Sequence, residues 1–169
     1  MTEGETGKLA AQAARVIDAA RARGVMLATA ESCTGGLIGA VLTEIAGASD
    51  VFDRGFITYS NEAKTQMLGV QPATLRGHGA VSEEVAAEMA AGARRNSAAA
   101  LAVSVTGVAG PGSSGAKPEG RVCFGLSDAT GTSTETVEFG AIGRSNVRRA
   151  TVAHALAMLL SALGSERAE

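Results

Sequence analysis

Apolar positions along this chain change their period several times, and each change marks an element. Leu9, Ala13, Val16, Ile17 and Ala20 recur at helical spacing and stop before Gly24, which predicts an amphipathic helix over residues 6 to 23 closed by a glycine. The run Val25-Met26-Leu27-Ala28-Thr29 opens a strand over 25–31, and Leu37 to Leu42 belongs to a helix over 36–46 that ends at Gly47. Phe56-Ile57-Thr58-Tyr59 is a short β-type run, after which Asn61 is placed to cap a helix through Leu68. Ser82, Glu83 and Glu84 open an alanine-rich helix to about Arg95, because a serine cap and an acidic first turn both suit a helix N-terminus. Residues 100–105 read as a strand buried on both faces, ending in Thr106-Gly107.

Gly110-Pro111-Gly112-Ser113-Ser114-Gly115 is a loop by composition. Beyond it, Val122 to Leu126 and the alternating run from Thr132 to Phe139 flank Asp128-Ala129-Thr130-Gly131, which together predict an antiparallel hairpin. A last helix from about Ser145 carries Val152, Leu156, Leu159, Leu160 and Leu163 on one face. Helices interleaved with strands, then a hairpin, predict an α/β fold: a mixed, mostly parallel sheet with a C-terminal β-hairpin and helices on both faces, three layers α/β/α. Residues 1–169 form one domain without internal repeats, and only the termini are expected to be disordered.

Composition narrows the partners. Of 169 residues, 46% are hydrophobic, enough for one ample core. A formal charge of -2 and 3% aromatic residues leave neither an electrostatic footprint nor stacking platforms for nucleic acid. A small-molecule partner is expected. Two cysteines, Cys33 and Cys123, make no disulfide framework, and neither a signal peptide nor an apolar run of spanning length occurs, so the expectation is a cytoplasmic chain without a membrane partner.

The candidate chemistry gathers at predicted strand ends. Ala30-Glu31-Ser32-Cys33-Thr34-Gly35-Gly36 joins a strand directly to a helix, placing a hydroxyl, a thiol and unpaired N–H groups in the positive field of a helix N-terminus. That suits a nucleophile meeting a carbonyl; the alternative is that Ser32 or Thr34 merely caps the helix. Tyr59 to Lys64 and Thr106-Gly107 mark two further strand ends, and all three clusters converge if their strands are parallel neighbours. Lys64, three residues after Asn61, lies in a first helical turn, where the dipole and any burial lower its pKa toward a neutral general base. Tyr59 is placed to relay a proton or orient the amine; the alternatives are a solvated lysine and a half-buried strand tyrosine. His78, in a glycine-flanked loop, and His154, near the polar side of the last helix, form no triad, and no metal-ligand spacing occurs. Arg144, Arg148 and Arg149 crowd the start of the last helix, which reads either as a phosphate site or as surface cations answered by Glu135 or Glu138.

Five motifs in order carry a family likeness: residues 30–36, residues 55–64, Gly79-Ala80-Val81-Ser82, residues 105–111 and Lys117-Pro118. Together they resemble the CinA C-terminal domain family, the nicotinamide-nucleotide amidases. The resemblance implies deamidation of nicotinamide mononucleotide without metal or organic cofactor. It implies Ser32 as nucleophile with Tyr59 and Lys64 completing the catalytic set, and Thr106, Gly107, Arg144 and Arg148 at the substrate; beside these, the N–H groups near Thr34, Gly35 and Gly36 are expected to receive the oxyanion and Asn61 to meet the substrate. It also implies a homo-oligomer, and a domain that in the family often follows a larger one and here stands alone. Glu119 replaces the family's valine, Ser145 its acidic residue, and Ser113-Ser114 its glycines. Two rivals stay open: a Cys33 thiol nucleophile, and a non-catalytic nucleotide- or protein-binding module.

Overall fold

A five-stranded sheet lies between two layers of helices in the computed structural model, which describes residues 3–164. In chain order the elements are α1 (Glu3–Arg23), β1 (Leu27–Glu31), α2 (Leu37–Thr43), a 3-10 turn (Ala48–Asp50), β2 (Phe52–Ile57), α3 (Asn61–Leu68), α4 (Pro72–His78), α5 (Glu83–Arg95), β3 (Leu101–Gly107), β4 (Arg121–Asp128), β5 (Gly131–Glu138) and α6 (Arg144–Gly164). The expected disordered termini lie outside the described residues.

Strand order is β2-β1-β3-β4-β5. β1 runs parallel to β2 and to β3, whereas β4 is antiparallel to both its neighbours. The expectation of a mostly parallel sheet is therefore corrected: two strand pairs are parallel and two antiparallel, because the hairpin attaches directly to β3. β1 and β3 are covered on both faces, which explains their unbroken apolar runs. On one face α1, α2 and α6 bury Val16, Ile17, Leu42, Leu156 and Leu159 around Val103 and Phe124. On the other, Val85, Met89 and Leu68 pack on Ala28, Ala30 and Ala102.

Several bounds differ from the sequence pattern for physical reasons. β2 starts at Phe52, four residues early, because Asp53 and Arg54 are tolerated on an edge strand with one exposed face, where apolar alternation is lost. The pattern left α4 unread although Pro72 at its first turn is a helix-start signal; His78 therefore closes a helix rather than sitting in a loop, and pairs with Glu84 at 3.3 Å. His154 lies part-exposed on α6, as expected near its polar side: Nε2 lies 2.6 Å from Glu135 Oε1, while the ring packs 4.5 Å from Phe124.

Gly92 decides where α3 sits. A Cβ there would collide with the Leu68 carbonyl, so only glycine lets α5 approach the end of α3 this closely. Leu68 and Lys64, one turn apart, are the two buried residues of α3, and Leu68 docks that helix into the core.

Candidate active site

The parallel strands end together. Glu31 faces Ile57 of β2 and Val105 of β3 in register, Ser32 N–H donates to the Val105 carbonyl at 3.1 Å, and Thr58 N–H donates to the Glu31 carbonyl at 2.9 Å. The three polar strand ends thus converge on one edge of the sheet, where ligands of open α/β sheets bind.

At this edge Lys64 Nζ lies 2.9 Å from Ser32 Oγ and donates to the Thr58 carbonyl at 2.8 Å. Lys64 is 1% exposed, among the largest fully buried side chains of the described residues. Removing an ammonium from water costs several kcal/mol unless a counter-charge joins it. Its polar neighbours here are a hydroxyl and a carbonyl, so burial lowers the amine's pKa. The helix N-cap is Ser60, whose Oγ accepts from Ala63 N–H at 3.0 Å, and not Asn61 as expected. Lys64 is therefore four residues past the cap, on the core-facing side of α3 rather than on a solvated one.

The turn that carries Ser32 is held by a residue to which the sequence pattern gave no role. Glu31 is 1% exposed, and its carboxylate accepts from Thr34 Oγ1 at 2.6 Å, Gly39 N–H at 2.9 Å, Ile38 N–H at 3.0 Å and Gly36 N–H at 3.1 Å. An anion at a helix N-terminus satisfies donors that would otherwise be orphaned. The signal was available, since a glutamate ending an apolar strand immediately before a helix has that terminus in reach. Gly36 precedes α2 at φ 99°, and a Cβ there would meet Ile57 Cδ1 at 2.8 Å, so glycine is required at this corner. Of the N–H groups expected to face an oxyanion, Gly36 is spent on Glu31 and Gly35 on the Ser32 carbonyl at 3.1 Å. That of Thr34 has no acceptor among the described residues.

Arginine and tyrosine form a second group. Arg148 donates through Nε to the Cys33 carbonyl at 3.1 Å and through Nη2 to the Thr34 carbonyl at 2.9 Å. Arg144 donates to the Gly110 carbonyl at 2.8 Å and to the Tyr59 hydroxyl at 3.1 Å. Tyr59 is 64% exposed, and its phenol is turned to Arg144; the expected contact with Lys64 is corrected by that placement, because Tyr59 lies beyond the end of β2. Nor are Glu135 and Glu138 the partners of the arginine cluster: Glu135 meets His154, Glu138 meets Arg121, and Arg149 donates to Asn146 Oδ1 at 2.5 Å.

Three further residues expected at the substrate are Asn61, Thr106 and Gly107. Asn61 lines a shallow depression with Thr65, Pro72 and Arg76. Thr106 is buried and donates to the Ala80 carbonyl at 2.7 Å, tying the end of β3 to the loop before α5. Gly107 lies against β4, where a Cβ would meet Val122 Cγ2 at 2.7 Å. In the glycine-rich loop the substituted Glu119 accepts from Gly112 N–H at 2.7 Å, closing the loop on itself. Cys33 is buried, which pushes its thiol up to about 12, because desolvation outweighs the backbone hydrogen bond that acts to lower it. Among the described residues no group of three or more His, Cys, Asp or Glu is placed to hold a metal ion, and no helix is long and apolar enough to cross a membrane.

With this geometry in view, comparison with known proteins is direct. The family model of the CinA C-terminal domain matches residues 9–163. The chain is 49% identical over 160 residues to the nicotinamide-nucleotide amidohydrolase PncC of Escherichia coli K12, covering 94% of this chain and 95% of that one. It is 49% identical over 140 residues to a CinA-like protein of Syntrophobacter fumaroxidans, of which it spans 33%. Among solved structures, the competence/damage inducible protein CihA of Agrobacterium tumefaciens superposes with a TM-score of 0.88 at 48% identity, over 98% of this chain and 99% of that one. The competence damage-inducible protein A of Klebsiella pneumoniae gives 0.90 at 38% identity, over 94% and 99%.

Proposed function

The chain belongs to the CinA C-terminal domain family, and from that membership we propose that it hydrolyses the amide of nicotinamide mononucleotide to nicotinate mononucleotide and ammonia. The observation that carries this reading is the buried Ser32–Lys64 pair, 2.9 Å apart at the carboxyl ends of the parallel strands. Burial lowers the pKa of Lys64, and in its neutral form the lysine donates one N–H to the Thr58 carbonyl and keeps its lone pair for the serine proton.

Ser32 Oγ then attacks the amide carbon as its proton passes to Lys64 Nζ. The oxygen of the tetrahedral intermediate is received by the N–H group of Thr34, a contact type worth about 3 to 4 kcal/mol per donor in other hydrolases. Collapse breaks the C–N bond, and the Lys64 proton leaves with the nitrogen as ammonia. Water, deprotonated by Lys64, cleaves the acyl ester and returns the proton to Ser32. Arg144, exposed at the rim and steadied by Tyr59 and Gly110, is the cation we assign to the ribose phosphate.

The test is ammonia release by the purified chain from nicotinamide mononucleotide, beside plain nicotinamide and glutamine. Release from the nucleotide alone, lost in Ser32→Ala, is expected. Saturable nucleotide binding without ammonia at any pH from about 6 to 9 would replace the enzyme by a binding module.

A further inference from the structure

We propose that Arg148 is a positioning residue for the reaction: its guanidinium holds the Ser32 turn in the conformation that presents the Thr34 N–H group, and it is not a ligand of the substrate phosphate. The proposal rests on the amidase reading above and goes beyond it.

Two consecutive carbonyls, those of Cys33 and Thr34, accept from Nε and Nη2 of the same guanidinium. A planar fork meets the two acceptors from two separate nitrogens held in one plane; a lysine ammonium would have to reach both from a single nitrogen without that geometry. In a trans peptide the N–H points opposite to the C=O, so anchoring the Cys33 carbonyl to α6 turns the Thr34 N–H to the side away from the guanidinium. The next peptide behaves alike, with its carbonyl on Arg148 and its N–H, that of Gly35, donated back to the Ser32 carbonyl. Gly35 has φ 57°, and a Cβ built there would lie 3.7 Å from Arg148 Nη2, so the guanidinium rests against the turn itself.

Glu31 completes the arrangement by taking donors where Arg148 takes acceptors. Its carboxylate binds the N–H groups of Gly36, Ile38 and Gly39, so the few residues around Ser32 are gripped by an anion and a cation from different elements. Thr34 N–H is left uncommitted between these two grips. A phosphate on Arg148 would compete for the two donors that maintain this state.

Kinetics on two substrates separate the roles. Arg148→Ala should lower kcat about 10- to 100-fold, somewhat less than deleting an oxyanion donor outright, with KM for nicotinamide mononucleotide within about threefold and the same loss on the phosphate-free nucleoside. Added guanidinium ion should restore part of that kcat. Arg148→Lys, with one donor point for two carbonyls, should fall between wild type and Arg148→Ala, and it serves the same comparison should the alanine variant not fold. A raised KM confined to the phosphorylated substrate, with kcat kept, would overturn the proposal and make Arg148 a phosphate ligand. Hydrogen exchange of the wild-type and variant amides of residues 32–36 reads the turn without turnover: about tenfold faster exchange in the variant is expected, and unchanged exchange would overturn positioning. A wild-type chain that releases no ammonia would sink the amidase reading, while the exchange measurement would still decide the role of Arg148.

Discussion

The junctions β1–α2 and β2–α3 both place a serine just beyond a parallel strand, yet they use it in opposite ways. At β2–α3, Ser60 is an N-cap: its hydroxyl accepts from Ala63 N–H, as Ser82 does from Val85 N–H before α5. At β1–α2 the cap position is Gly36, without a side-chain bond of its own, and the buried carboxylate of Glu31 takes the helix N–H groups. Ser32 is thereby released from capping, and its hydroxyl faces Lys64. A serine near a helix start becomes available for chemistry when another group satisfies the backbone in its place.

Substitution breaks this comparison most sharply at the reacting pair. Ser32→Ala should lower turnover by about four orders of magnitude or more while leaving the melting temperature nearly unchanged, because the hydroxyl supplies chemistry and little structure. Near wild-type turnover in the purified variant would place Ser32 with the capping serines.

Lys64→Met should also abolish turnover, but it should raise stability. Burial lowers the folded-state pKa of Lys64 from its unfolded value of about 10.4, so between those two values the unfolded chain binds the extra proton and stability rises with pH. The penalty of the buried cation is full below the folded pKa and gone above the unfolded one. Denaturant unfolding from pH 6 to 10 should therefore show the methionine variant ahead of wild type at the acidic end, with the lead shrinking toward pH 10. In the wild-type enzyme kcat/KM should rise on an acidic limb set by the same deprotonation. A lead that grows with pH would mean that the lysine is stabilised as a cation.

Glu31→Gln sharpens the contrast from the structural side. It removes the charge that gathers three backbone N–H groups, which should cost about 2 to 3 kcal/mol, measured as a shift in the denaturation midpoint at constant m. Ser60→Ala and Ser82→Ala should each cost only about 1 kcal/mol and leave kcat at the wild-type level. Equal losses in all three would show that the carboxylate caps no better than a hydroxyl. Smallest of all is the expected effect at Cys33. Its buried, protonated thiol should resist iodoacetamide at neutral pH in the native protein and react on unfolding, as mass spectrometry would register.

Local pattern made much of this molecule legible. The period changes located α1, α5, the hairpin and α6, and the uninterrupted apolar runs identified β1 and β3 as strands covered on both sides. Ser32 and Lys64 stood out because a polar cluster following an apolar strand has no packing reason to be there. Edge strand β2 was half legible, since only one of its faces is buried and Asp53 and Arg54 obscure the alternation. Glu31 was overlooked because nothing local distinguishes a carboxylate on a solvated strand end from one enclosed by the next helix.

By itself the sequence determined the elements, the three polar strand ends and the residue types from which a nucleophile and base can be drawn, since propensity and periodicity act over a few residues. Tertiary structure decided which of those residues meet. Parallel pairing of β1 with β2 brought Ser32 within 2.9 Å of a lysine 32 positions away, and docking of α3 through Leu68 turned that lysine inward, where desolvation lowers its pKa. Packing of α6 gave Arg148 to the turn and Arg144 to Tyr59, pairings separated by more than 80 residues that no local pattern encodes. Burial and long-range contact change pKa and hydrogen-bond partners, and both arise only once the chain has closed on itself.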